Sequence, residues 1–135
     1  VVHALFRLSR KNRAMVGEAL RPLGLFPGQE LLLLQLNDGE RRSQAELVDA
    51  LGIDHSTVTK MLQRLERSGV VERCQSEDDR RVVLVSLTEQ GCVARRAVEG
   101  VWQALEESTV SMLSERQRAQ LLELLRKIEQ GLGSR

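Results

Sequence analysis

Leu5, Leu8, Met15, Val16, Ala19 and Leu20 recur every three or four residues, which predicts a helix over residues 3–21 closed by Pro22 and Gly24. Pro27 suits the first turn of a second helix. Between Glu30 and Leu36 that helix is apolar on nearly every side, so it is expected to be buried, and Asn37, Asp38 and Gly39 end it as a turn. Ser43 and Glu46 have the spacing of a capping box and open a short third helix that runs to Leu51 and stops at Gly52. Asp54 is a good N-cap for a fourth helix, whose apolar stripe is Val58, Met61, Leu62 and Leu65 and whose end is Gly69.

The pattern then changes. Residues 70–75 and 82–87 are short valine-rich runs joined by the polar stretch Ser76-Glu-Asp-Asp-Arg-Arg81, which predicts a β-hairpin. Thr88 caps a fifth helix with Val98, Val101, Trp102 and Leu105 on one face. Ser114 with Gln117 starts a sixth, carrying Leu121, Leu124, Leu125, Ile128 and Leu132. No internal repeat or flexible linker interrupts this order. The expected fold is mainly α with a small β-hairpin wing: a short third helix, a glycine turn and a fourth helix have the proportions of a helix-turn-helix, and the hairpin after them makes it a winged helix.

Turning the fourth helix at 100° per residue, with its apolar stripe inward, puts Ser56, Lys60, Gln63 and Arg67 at the centre of the outer face. Thr57, Thr59 and Arg64 flank them. This face holds hydroxyls, an amide and three cations with no carboxylate near its centre, whereas an ordinary solvated face mixes Glu with Lys. Such a surface suits base edges and phosphates, with Lys60 and Arg64 able to address guanine or phosphate. Gln44, at the start of the third helix, is expected at the same surface.

Composition narrows the alternatives. With 135 residues, 41% apolar and 29% charged, the chain is expected to be one globular domain, and 2% aromatic content with no Tyr requires a core of Leu, Val and Ala. The formal charge of +1 does not announce a nucleic-acid protein, but Arg7, Arg10, Lys11, Arg13 and Arg21 face only Glu18 in the first segment. No apolar run approaches the ~18 residues of a membrane span. No signal peptide is visible, so a cytoplasmic location without membrane contact is expected. The chain begins at Val1 and not Met, so a trimmed or missing N-terminus is also expected. Cys74 and Cys92 have no metal-ligand spacing and read as reduced thiols, so no metal or cofactor is expected. His3 and His55 lie in different segments, and no nucleophile–base pair or phosphate loop accompanies them, which argues against an enzyme. A winged helix used only for protein–protein assembly, without DNA contact, stays open as an alternative to a DNA-binding regulator.

Ala45-Glu-Leu-Val-Asp-Ala-Leu-Gly52, Ser56-Thr-Val-Thr-Lys-Met-Leu-Gln-Arg-Leu-Glu-Arg-Ser-Gly69, Asp78-Asp-Arg-Arg81 and Ser86-Leu-Thr-Glu-Gln-Gly91 together resemble the MarR family of bacterial winged-helix transcription regulators. The Asp-Arg-Arg wing followed by Leu-Thr-x-x-Gly is the most specific part, and the resemblance covers essentially the whole chain. Two positions depart from it: Val48 stands where the family has a small residue at the helix crossing, and Phe26 where it commonly has a capping Ser or Thr before Pro27.

The resemblance implies a ligand-responsive repressor that binds a pseudo-palindromic operator as a homodimer. Residues 27–88 would form the DNA-binding core, and residues 1–24 and 89–135 the dimerisation helices. An arginine at a wing tip can enter the minor groove, where the negative potential is strongest, and a neighbouring carboxylate that holds the wing reduces the entropy lost on binding. Mapped onto this chain, the resemblance makes Arg80 the groove finger and Asp79 with Arg81 the brace. Leftover apolar stripes on the first and last helices, with Leu5, Leu8, Leu121, Leu125 and Ile128, are expected at a two-fold interface. The family's small aromatic or anionic effectors bind between the dimerisation helices and the core, where His3, Arg7, Arg10 and Trp102 are candidates. The family's redox-sensing branch has a cysteine in the first helix; this chain has none there, so a thiol switch is not expected.

Overall fold

The structure, a computed structural model, describes residues 1–133. Helix α1 (Val2–Leu20) runs into a single 3-10 turn over Arg21–Leu23, and Gly24 closes it at φ 70°. Then come α2 (Gln29–Leu34), β1 (Arg42–Ser43), α3 (Gln44–Leu51), α4 (His55–Arg67), β2 (Val71–Gln75), β3 (Val83–Leu87), α5 (Glu89–Val110) and α6 (Glu115–Gly133). The described residues fall into two compact units, Val1–Trp102 and the segment from Gln103 onward.

Local chemistry explains most boundaries. Ser43 has extended backbone and its hydroxyl accepts the Glu46 N–H at 3.1 Å, so α3 starts where the capping box predicts. The reciprocal half is absent: the Glu46 carboxylate turns instead to Arg42, 3.5 Å away. At α6 the box is complete, with Gln117 N–H donating to Ser114 Oγ at 3.2 Å and Ser114 N–H donating to Gln117 Oε1 at 3.0 Å. Helix α2 begins later than expected. Pro27 lies before it, because Gly28 takes φ 103° and breaks the backbone, and the buried Gln29 then becomes its first residue.

In the first unit Leu20, Leu32, Leu33, Leu36, Leu47, Val58, Leu62, Leu65, Val71, Val85 and Val98 form a core without an aromatic ring. The sheet has three strands in the order β1-β3-β2, all antiparallel. Strand β2 pairs with β3 from Val71↔Leu87 to Gln75↔Val83, as the hairpin predicts. The added strand β1 places Arg42 opposite Val85 and Ser43 opposite Leu84. A two-residue strand has no periodicity to read, so the sequence pattern did not contain it.

The Leu-Thr-x-x-Gly motif has a clear physical cause. Thr88 caps α5 by accepting the Gly91 N–H at 3.0 Å, while its hydroxyl donates to the carbonyls of Gly69 and Val70 at the foot of the wing. That draws the first turn of α5 so close to Val70 that a Cβ on Gly91 would overlap its carbonyl oxygen. Only glycine fits there. Helix α6 buries no residue, and Leu122, Leu124, Leu125, Ile128 and Leu132 are all exposed. No helix among the described residues is long and apolar enough to cross a membrane.

Candidate nucleic-acid interface

Helix α4 turns Val58, Leu62 and Leu65 into the core and leaves Ser56, Thr57, Lys60, Gln63, Arg64 and Arg67 exposed. The side chains of Lys60, Gln63 and Arg67 make no hydrogen bond or ion pair with other described residues, so their side-chain donors are free. Glu66, the one acid on this helix, is turned away to Arg73 on β2 at 2.9 Å. The Arg73 hydrogen bond holds the Glu66 carboxyl below its usual range. The pair fastens the helix to the wing and removes the negative charge from the cationic face.

The hydroxyls expected on this face are already engaged. Ser56 Oγ donates to one Asp54 carboxylate oxygen, which also accepts the Thr57 N–H at 3.0 Å, and Thr57 Oγ1 donates to the other at 2.7 Å. These bonds, those from Ser56 and then Thr57 foremost, hold the Asp54 carboxyl well below the ordinary carboxylate range. Thr59 Oγ1 donates to the His55 carbonyl at 2.9 Å and accepts from Gln44 Nε2 at 2.7 Å. All three hydroxyl protons are thus committed to acceptors at the start of α4, and what these side chains leave free are acceptor lone pairs. Gln44, expected at the DNA surface, is buried at 8% exposure and ties α3 to α4. A wheel drawn on one helix could not show this, because the bond crosses between two.

The wing tip is a closed loop. Ser76 N–H donates to Val82 O and Val82 N–H to Asp79 O, each at 2.9 Å. Asp79 Oδ1 accepts the Arg81 backbone N–H at 3.0 Å and its Nε–H at 3.2 Å, and Oδ2 accepts from Arg81 Nη2 at 3.4 Å. These bonds hold the Asp79 carboxyl below its usual range. Arg80 is exposed and has no partner among the described residues, and Glu77 and Asp78 also face outward. A cavity of about 320 Å³ lies between the wing and the starts of α3 and α4, lined by Ser43, Gln44, His55, Arg81 and Val83. His55, the first residue of α4, lines it although the wheel does not place it at the centre of the outer face.

A second, larger opening of about 890 Å³ is bounded by Arg10, Arg13, Gly17, Arg21, Phe26 and Pro27. Of the residues expected at an effector crevice, Arg10 is in its wall. His3 and Arg7 stand earlier on α1 and Trp102 on α5, outside it. In the sequence Arg13 and Arg21 stand out only as part of the basic first segment. Arg21 is marked by its position beside Pro22 and Gly24, where the helix ends; Arg13, in the body of α1, carries no such signal. Among the expected interface residues, Leu8, Leu125 and Ile128 are exposed and Leu5 and Leu121 are half-buried. The Asp38 carboxylate beside Cys92 pushes its thiol up.

The model of the MarR family matches residues 23–82, the helix-turn-helix and most of the wing. The HTH-type transcriptional repressor NicR of Pseudomonas putida is 30% identical over 95% of this chain and 81% of its own length. The organic hydroperoxide resistance transcriptional regulator of Bacillus subtilis is 35% identical over 67% of this chain, and the match spans 62% of that regulator's length. Among solved structures, a cysteine-to-serine mutant of MarR from E. coli complexed with operator DNA superimposes with a TM-score of 0.85 at 28% identity, covering 93% of this chain and 91% of that one. With its helix-turn-helix, its wing and its outward cations in place, this chain belongs to the MarR family of DNA-binding transcription regulators, which are not enzymes.

Proposed function

We propose that this regulator is a homodimeric repressor that reads a pseudo-palindromic operator with α4 in the major groove and Arg80 in the adjacent minor groove. The carrying observation is the outer face of α4: Lys60, Gln63, Arg64 and Arg67 are exposed, and its one acid is drawn off to Arg73. Phosphate contacts by these cations would supply salt-dependent affinity, and base contacts by Lys60, Gln63 or Arg64 would supply sequence preference. Ser56, Thr57 and Thr59 would add acceptor contacts from the first turn. In this reading residues 27–88 are the DNA-binding core, and residues 1–24 and 89–135 are the dimerisation helices. The exposed apolar stripe of α6 supports that division, since one copy leaves it uncovered. A two-fold pair would set its reading helices about 34 Å apart, one turn of DNA.

A small aromatic or anionic effector would release the operator. The opening beside Arg10, Arg13 and Arg21 supports an anion, because these three guanidiniums have no acidic partner among the described residues and only Glu18 shares the wall. The test is fluorescence anisotropy with duplexes from the chain's own upstream region against scrambled duplexes, at two salt concentrations. Tighter binding to one sequence, with affinity falling as salt rises, supports the reading; no association at low salt would return it to a protein-assembly module.

A further inference from the structure

The exposed ring of Phe26 has no packing explanation. It is 61% exposed, in a chain with only 2% aromatic residues, and it stands at the turn into α2 and not in the core. Yet the turn that carries it is firmly held. Phe26 N–H donates to Gln29 Oε1 at 3.0 Å, and its carbonyl accepts the Gln29 N–H at 3.0 Å. Gln29 itself is buried, and Pro27 stiffens the next position. The backbone therefore presents this ring at a defined place on the surface. What lies over it is the Arg64 guanidinium, whose Cζ is 5.6 Å from the ring centroid.

We propose that Phe26 is a positioning residue for DNA reading, a platform that fixes the Arg64 guanidinium on the outer face of α4. The proposal deepens the assignment of α4 as the reading helix and rests on it. A long arginine on an exposed helix samples many rotamers, and immobilising it on DNA costs entropy. A carboxylate could hold it, as Glu66 holds Arg73, but would neutralise the charge and occupy the donors that a phosphate or guanine needs. An aromatic face does neither. The ring attracts the cation through its quadrupole, and the guanidinium's N–H donors radiate from its edge, free of the ring. Of the cations on the α4 face, Arg64 is the one that has such a support.

The test compares Phe26→Leu and Phe26→Trp, alone and combined with Arg64→Ala, by anisotropy on the bound operator. Thermal unfolding is followed in parallel. Leucine keeps apolar bulk and removes the π face; tryptophan keeps the face. Phe26→Leu is expected to weaken binding about 2- to 5-fold, the size of an exposed cation–π contact. Phe26→Trp should bind as wild type, and Phe26→Leu should add nothing once Arg64 is alanine. In the DNA-free protein, the Arg64 side-chain CH₂ protons should show an upfield ring-current shift that Phe26→Leu abolishes and Phe26→Trp retains. Wild-type affinity for Phe26→Leu while Arg64→Ala binds weakly overturns the platform and leaves the reading helix intact. An equal loss from Phe26→Leu with or without Arg64 also overturns it, since the ring would then act by another route. If Arg64→Ala binds as wild type, Arg64 is not a reader and the platform falls with that assignment.

Discussion

Gln44 Nε2 donates to Thr59 Oγ1 at 2.7 Å, so one buried amide joins the first helix of the helix-turn-helix to the second. The threonine passes the link on to the His55 carbonyl at 2.9 Å. The join between α3 and α4 therefore includes a side chain that is itself 8% exposed. Gln44→Ala should destabilise the protein by about 1 kcal/mol, the net value of a typical hydrogen bond. Urea unfolding with an unchanged slope checks it, and operator affinity should fall as well. Unaltered stability would make the bond incidental.

Lys60 stands on the exposed face of α4 without a partner, so Lys60→Ala should leave the melting temperature within about 2–3 °C, as surface substitutions do. Operator binding should weaken by about 1–3 kcal/mol if Lys60 meets a base. If it meets a phosphate, binding should weaken for every sequence and the salt slope should fall by about one. Anisotropy on specific and scrambled duplexes separates the two cases.

Asp79 and Arg81 lock the wing tip, while Arg80 is left free beside them. Arg80→Ala should lower affinity and reduce the salt slope by about one, with no change in melting temperature. Asp79→Ala removes a negative charge near DNA, which by charge alone favours binding, yet it should weaken binding because the loop must then be ordered on contact. Arg81→Ala should behave similarly, and the double variant should be no worse than either one. Tighter binding by Asp79→Ala would show that the acid merely repels DNA.

Asp54 gives a pH dependence of known sign. Its carboxyl is held below the value of about 3.9 found in unfolded chains by the bonds from Ser56 and Thr57. A carboxyl depressed in the folded state adds stability that is fully present above the unfolded value and is lost as pH falls through the folded one. Asp54→Asn retains a neutral cap without the charge. Thermal unfolding of both proteins between pH 7 and pH 2 should show the wild-type advantage shrinking at the acid end. A constant difference would mean that the charge contributes nothing.

Leu125 is exposed on α6 at 40%, amid other exposed apolar residues of that helix. Leu125→Glu should shift sedimentation equilibrium at micromolar concentration from a dimer toward the 15.2 kDa monomer. Operator affinity should fall with it, since two half-sites would no longer be read together. A wild-type protein that sediments as the monomer would remove the two-half-site reading.

Much of this protein is determined by its sequence over short distances. The caps at Ser43, Asp54, Thr88 and Ser114 bond three residues ahead, and the outward run of α4 follows from the period of one helix. The Asp79–Arg81 pair belongs to one loop, and every atom it needs lies within seven residues of chain. The later start of α2 was also a local matter, a glycine at φ 103° that the proline signal obscured.

Tertiary structure decided the relationships that join distant segments. Strand β1 exists because Arg42 and Ser43 meet β3, and two residues cannot encode that partner. Gln44 became a buried link because α3 and α4 meet at Thr59. The Phe26 ring lies beneath Arg64 because the turn before α2 is brought against α4, although nothing in either segment's period pairs them. Gly91 is obligatory because the wing returns Val70 to the start of α5. Periodicity reports which face of an element is buried; which residue meets which across two elements is set by how the apolar faces pack.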